Sequence, residues 1–285
     1  MIYIIRQEEN DEMSLINNME NIKIRQGEPI EALGLMFYPI KMSEYELFLT
    51  CKDALIVRLG TLPVKYQMKD YLNAIFAFDL ATVAQNGEFF GLFARLITLL
   101  SLSLRIDIDI KKWFTTKNVN VQKVADDLII NYFTLTQGTK RVKITPIDFS
   151  SIIRPLIAVQ NGIELPDESE NTELILAEQK VEAIKTANAP KLKMSIDDLI
   201  ASVAYASHVR ERDVMNWTVR EFEARKRAIE RDKHYMIYGQ AEMSGMVSFK
   251  NGNPYPHWAY DRLDETHGTM SLGSLGKNMG GLSTK

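Results

Sequence analysis

Asp107 and Asp109 alternate with isoleucines in LRIDIDI, residues 104–110, so a strand there would aim both carboxylates at one side. Two hard oxygen ligands could begin a divalent-cation site, but calcium takes roughly six to eight oxygens and no ligand-bearing spacing follows. Two carboxylates alone on a strand face are solvated, so no metal site is expected there. The histidines, His208, His234, His257 and His267, lack the H-E-x-x-H or C-x-x-C company that zinc requires. Cys51, the single cysteine, lies on an apolar helical face and reads as a small buried hydrophobe. Gly273, Gly276 and Lys277 superficially suggest a phosphate loop. The G-x-x-x-x-G-K-[ST] spacing is wrong, however, Asn278 replaces the hydroxyl residue, and no strand precedes it. Neither G-x-G-x-x-G nor G-x-S-x-G occurs. No catalytic residue, cofactor or metal is expected.

Composition narrows the class. The 285 residues suit one large or two ordinary domains, and 46% hydrophobic with 25% charged residues can build a normal core. A net charge of −3 and a pI near 5.9 argue against a dedicated nucleic-acid binder. One cysteine excludes an internal disulfide and suits a reducing cytoplasm. The N-terminus, MIYIIRQEEND, has too short an apolar part and too acidic a continuation for a signal peptide. The greasiest stretch, residues 89–104, contains Arg95 and falls short of the roughly 20 residues that span a bilayer. A soluble protein without a membrane segment is expected.

The elements follow from periodicity and caps. LGLMFYPI, residues 33–40, reads as a strand ending at Pro39. Ser43 and Glu46 have capping-box spacing ahead of a helix with Tyr45, Phe48 and Leu49 on one face. Pro63 opens the next helix, which presents Tyr66, Leu72, Ile75, Phe76 and Leu80. The most hydrophobic helix, from Glu88 to about Ser103, is expected at the buried centre. LRIDIDI and TKRVKIT (139–145) read as two strands whose opposite charges would face each other if paired, with a helix over about 121–132 between them. Thr145 and Pro146 start a further helix, in which Pro155 should force a kink or an end. An acidic connector with an embedded helix, about 172–186, leads to a helix opened by Ser195 with Asp197 and Asp198.

The last quarter differs in character. Thr218 and Glu221 form a capping box, and Val219, Phe222, Ile229, Met236 and Met243 then lie along one side, the last four at seven-residue intervals. Arg225, Lys226, Arg227, Arg231 and Lys233 are interleaved with Glu223, Glu230 and Asp232. A narrow apolar stripe between mixed charges suits a helix lying on a partner as well as one on its own domain. Gly245 ends the helix, residues 246–250 could form a short strand, and PYPHW, residues 254–258, is extended or turned. The expected class is mainly α, with a small antiparallel β element. The expected organisation is a helical body over residues 1–163, an acidic linker over 164–194, a helical partner-binding part over 195–262, and a disordered Gly-rich tail over 263–285. The contact residues expected from the stripe are Phe222, Ile229, Met236 and Met243, with Trp258 and Tyr260 beside the prolines.

The segments ITPIDF, IIRPLI and QNGIELPD, within residues 144–167, and TVREFEARKRAI, YGQAEMSGMV, FKNGNP and PHWAYD, within 218–261, resemble the tail assembly chaperones of phages of Gram-positive hosts. The likeness is one of pattern and order across roughly residues 33–261. It implies a non-enzymatic protein of the host cytoplasm, in a family often made in a short and a frameshift-extended form. Such a protein coats the tape-measure protein, keeps it soluble and recruits tail-tube subunits; self-association is compatible with that role. Two other readings use the same features. One is a structural virion component of the tail or connector. The other is a regulator in which residues 195–210 and 218–238 form a helix-turn-helix-like pair. Against the regulator, residues 191–262 hold 12 Lys or Arg against 10 Asp or Glu. The segment between the helices also exceeds a turn of roughly three or four residues.

Overall fold

The computed structural model describes residues 22–86, 91–109, 118–124, 127–166 and 195–245, with positions 173, 177, 180, 181, 183 and 184. Helix dominates these residues, and a small antiparallel sheet accompanies it. The chain divides into two compact units, one of residues 1–169 with 195–223 and one of residues 170–194 with 224–285. One change between the units falls between Met194 and Ser195, where a boundary is expected, and another falls after Glu223, within the expected 195–262 part. Ile200, Val203, Ala204, Val214, Val219 and Phe222 are all buried, which is why this segment joins the first unit.

A tight hairpin stands in the first unit where one strand is expected. Strands β1 (Ile30–Ala32) and β2 (Leu35–Phe37) pair antiparallel with Ala32 opposite Leu35. Leu33 and Gly34 both have positive φ, 52° and 77°, as a two-residue turn of the primed type requires. Helix α1 (Tyr45–Cys51) follows a short 3-10 turn and turns Tyr45, Phe48 and Cys51 inward. No side-chain hydrogen bond caps it, so the Ser43–Glu46 box does not form. Pro63 stands at the N-cap of the short helix α2 (Val64–Gln67), and the helix expected to run onward is split there from α3 (Tyr71–Asn86). Tyr66, Leu62 and Ala74 cluster beneath Phe78, whose ring meets Tyr66 edge-on at 5.7 Å.

Helix α4 (Leu92–Leu104) is the buried centre that its composition predicts; eight of its residues, from Phe93 to Leu104, are buried. Asp79 caps it from α3: its carboxylate accepts from the N–H groups of Leu92 at 2.9 Å and Phe93 at 2.6 Å. Gly91 makes this possible, since a Cβ there would stand 2.3 Å from the carboxylate.

The described residues of LRIDIDI, 104–109, do not form the expected strand. Leu104 is the last helical residue, Arg105 turns left-handed at φ 52°, and Ile106 N–H donates back to Ser101 O at 3.1 Å, closing the helix. Arg105 lies over the Tyr38 ring at 4.2 Å instead of facing a basic strand. The expected helix over 121–132 is also absent. Its β-branched and aromatic residues form strands β3 (Val119–Val124) and β4 (Asp127–Gln137), with β5 (Lys140–Ile144) on the other edge of β4. Lys140 pairs with Glu31 at 3.0 Å, and Lys143 lies over Tyr132.

After β5, Thr145 caps a helix that starts at Pro146, as expected, and a reciprocal box with Asp148 completes the cap. The helix runs through Pro146–Asp148, a π-helical turn at Phe149–Ile153, and α5 (Arg154–Gln160). Pro155 has no N–H for the carbonyl four residues back, and its ring would crowd that carbonyl in a regular helix. The widened turn immediately before it absorbs the misfit, so the helix continues instead of ending. Arg154 is buried beside it, its Nε donating to Leu55 O at 2.9 Å and its guanidinium stacked 3.6 Å over Tyr71.

Helix α6 (Ile196–Ala206) starts at Ser195 as expected, capped by a reciprocal box with Asp198, and a short helix α7 (Glu211–Val214) leads to the long helix α8 (Val219–Met243). In the second unit, the described positions between 173 and 184 are helical, as the connector predicts. The residues expected as a 246–250 strand and as the Gly-rich tail lie outside the described residues.

Candidate partner-binding surface

Helix α8 carries the candidate surface, and its start is fixed to the first unit. Thr218 Oγ1 accepts from Glu221 N–H at 3.1 Å, the cap that its spacing predicts. Lys41 bridges Thr218, and Val219 N–H donates to Ile40 O at 2.9 Å. Arg220 donates to Val159 O, tying the same turn to α5. Tyr45 donates its hydroxyl hydrogen to Glu223 at 2.6 Å. Burial, then the Glu223 carboxylate, raises the Tyr45 phenol above its ordinary range, so it stays a neutral donor.

Phe222 belongs to this anchor and not to an outer surface. It is 0% exposed and meets the Tyr45 ring at 5.6 Å between centroids. Its choice as a contact residue is corrected: seven-residue spacing identifies the side of the helix but not where along it the core ends. Farther along, Ile229 is partly buried, Met236 is 53% exposed and Met243 is 90% exposed. Exposure thus rises along one stripe. Trp258 and Tyr260 lie outside the described residues.

Two further residues belong with the exposed stripe. Tyr235 and Ile237 flank Met236 and are exposed, which broadens the apolar surface beyond a single row. The run Tyr235-Met236-Ile237-Tyr238 is the signal for it, because four consecutive apolar or aromatic residues must surround a helix with apolar surface. Tyr238 meets His234 edge-on at 6.3 Å, so one side of this run is braced by the helix itself.

The remaining candidates for chemistry are accounted for locally. Cys51 is fully buried, and burial pushes its thiol up to about 11, away from the reactive thiolate. Among the described residues, no group of three or more His, Cys, Asp or Glu could hold a metal ion, and no helix is long and apolar enough to cross a membrane. The helices weighed as a helix-turn-helix pair are separated by residues 207–218, which include α7, so no tight turn joins them. Comparison with protein-family models, curated proteins and solved structures finds no match to this chain.

Proposed function

We propose that this protein is a non-enzymatic phage tail assembly chaperone that binds the tape-measure protein, keeps it soluble and recruits tail-tube subunits in the host cytoplasm. The observation that carries the binding reading is the exposed end of the α8 stripe, where Met236 and Met243 are 53% and 90% exposed beside Tyr235 and Ile237. A long helical protein awaiting its tube exposes apolar stripes, and such surfaces aggregate unless covered. Methionine side chains are flexible and polarizable, so they fit an irregular apolar partner that varies along its length. The resemblance of residues 33–261 to the tail assembly chaperones supplies the identity of that partner.

The test is the fate of the protein during assembly. A chaperone is present with the tape measure in lysates and absent from purified particles by mass spectrometry. Stoichiometric retention in particles contradicts the reading and identifies a structural tail or connector component.

A further inference from the structure

The first unit carries a groove of about 390 Å³ between the start of α1, the start of α6 and the chain after α7. Met42 and Ile200, both buried, lie at its base, while Leu47 and Met215, 42% and 36% exposed, stand in its walls. Exposed carboxylates line it from two elements, Glu44 and Glu46 on the α1 side and Asp197 on α6, and none of the lining residues is basic. The neighbouring positions do not cancel this charge. Over residues 41–47, 195–200 and 210–215, Lys41, Arg210 and Arg212 are matched by Asp198, Glu211 and Asp213, and Arg212 is itself paired with Asp213 at 3.8 Å.

Glu46 and Asp197 sit in the first turns of their helices, where a carboxylate opposes the helix dipole. That role asks nothing of Leu47 and Met215, which leave apolar surface open in the same groove. The backbone at its edge is already engaged: Met42 N–H donates to Trp217 O at 2.9 Å, and Ser43 N–H to Met215 O at 3.2 Å. An occupant is therefore held by side chains and not as an added strand, which is how an amphipathic helix binds a groove. We propose that the groove docks a basic amphipathic helix of a partner protein. Its Leu, Ile or Met side chains enter the apolar base, and its flanking Lys or Arg side chains meet Glu44, Glu46 and Asp197. This surface is distinct from the exposed stripe of α8, and its test needs no tape-measure protein, so it stands or falls separately from the chaperone reading.

Fluorescence anisotropy of the full chain with three labelled helical peptides tests it. All three carry one row of Leu, flanked by Lys in the first, Gln in the second and Glu in the third. The Lys peptide is expected to bind at about 1–100 µM, roughly tenfold tighter than the Gln peptide, with the Glu peptide weakest. E46K/D197K is expected to reverse that order, and Leu47→Asn to weaken all three peptides. E230K/D232K makes the same change in net charge on α8 and is expected to leave the order intact, as is M236D/M243D. Circular dichroism establishes that each variant is folded. A Lys peptide that does not bind, equal binding of the three, or an order that survives E46K/D197K overturns the proposal. So does an order lost equally in E230K/D232K, which makes the attraction one of net charge, or lost in M236D/M243D, which assigns the peptide to α8.

Discussion

The buried side chain of Asn73 pairs with the backbone of Ile130 as a neighbouring strand would. Its Oδ1 accepts from Ile130 N–H at 2.7 Å, and its Nδ2 donates to Ile130 O at 3.3 Å. Helix α3 thereby completes β4 beyond the end of β5, whose pairing reaches only Phe133. Gln137 repeats the device at the other end of β4, accepting from Met36 N–H and donating to Met36 O, both at 2.8 Å. Side-chain amides thus join the three-stranded sheet to helix α3 at one end of β4 and to the β1–β2 hairpin at the other.

Asn73→Ala removes both partners of a buried backbone group. The expected loss is about 1–3 kcal/mol, read from urea unfolding with the slope unchanged. A loss under about 0.5 kcal/mol would mean that water replaces the amide there.

Gly91→Ala drives a methyl group into the Asp79 carboxylate that caps α4. Asp79 is short and buried, so it leaves the cap instead of bending aside. The expected cost is about 1–2 kcal/mol, the range for losing an N-cap, and it should be nearly absent when Asp79→Ala is already present. Thermal unfolding of the two single variants and the double variant checks this. Equal, additive losses would place the effect of Gly91 elsewhere.

Phe222 and Met243 occupy one sequence stripe but should behave oppositely. Phe222→Ala empties a buried site against Tyr45 and is expected to cost about 3–5 kcal/mol. Met243→Ala, at a 90% exposed position, is expected to change stability by no more than about 0.5 kcal/mol. Chemical denaturation of both variants decides the matter.

The Thr145–Asp148 cap makes part of the stability depend on acid pH. The Thr145 hydroxyl, and then its backbone N–H, hold the Asp148 carboxyl below its usual value. A folded value below the unfolded one contributes stability above the unfolded value, near pH 3.9, and that contribution is lost as pH falls through the folded value. The stability advantage of wild type over Asp148→Asn should therefore be full near neutrality and shrink below about pH 4. An advantage independent of pH would show that the carboxylate charge is not what closes the cap.

Caps and buried helices were legible in the sequence because their signals are local. Thr145, Ser195, and Thr218 ahead of Glu221 each begin a helix where the sequence places it, whereas Ser43 ahead of Glu46 forms no cap. The strands were not legible. Residues 121–132 satisfy a helical period, but they fold back on themselves, Val121 opposite Ile130 and Val124 opposite Asp127, and the amide of Asn73 completes the pairing of Ile130. LRIDIDI alternates like a strand, yet the left-handed turn at Arg105 uses its first residues to close α4. Of the site, periodicity identified the side of α8 that bears Met236 and Met243. It could not separate the anchored Phe222 from them, because burial there comes from Tyr45, far away in the chain.

The most direct test of the chaperone reading is co-expression of the full chain with a phage tape-measure protein, followed by affinity purification and size-exclusion chromatography. The account predicts a soluble complex where the tape measure alone precipitates, and its loss with Met236→Asp/Met243→Asp, a variant that remains folded. A tape measure that stays insoluble beside the wild-type chain, or one held equally well by the double variant, would contradict it.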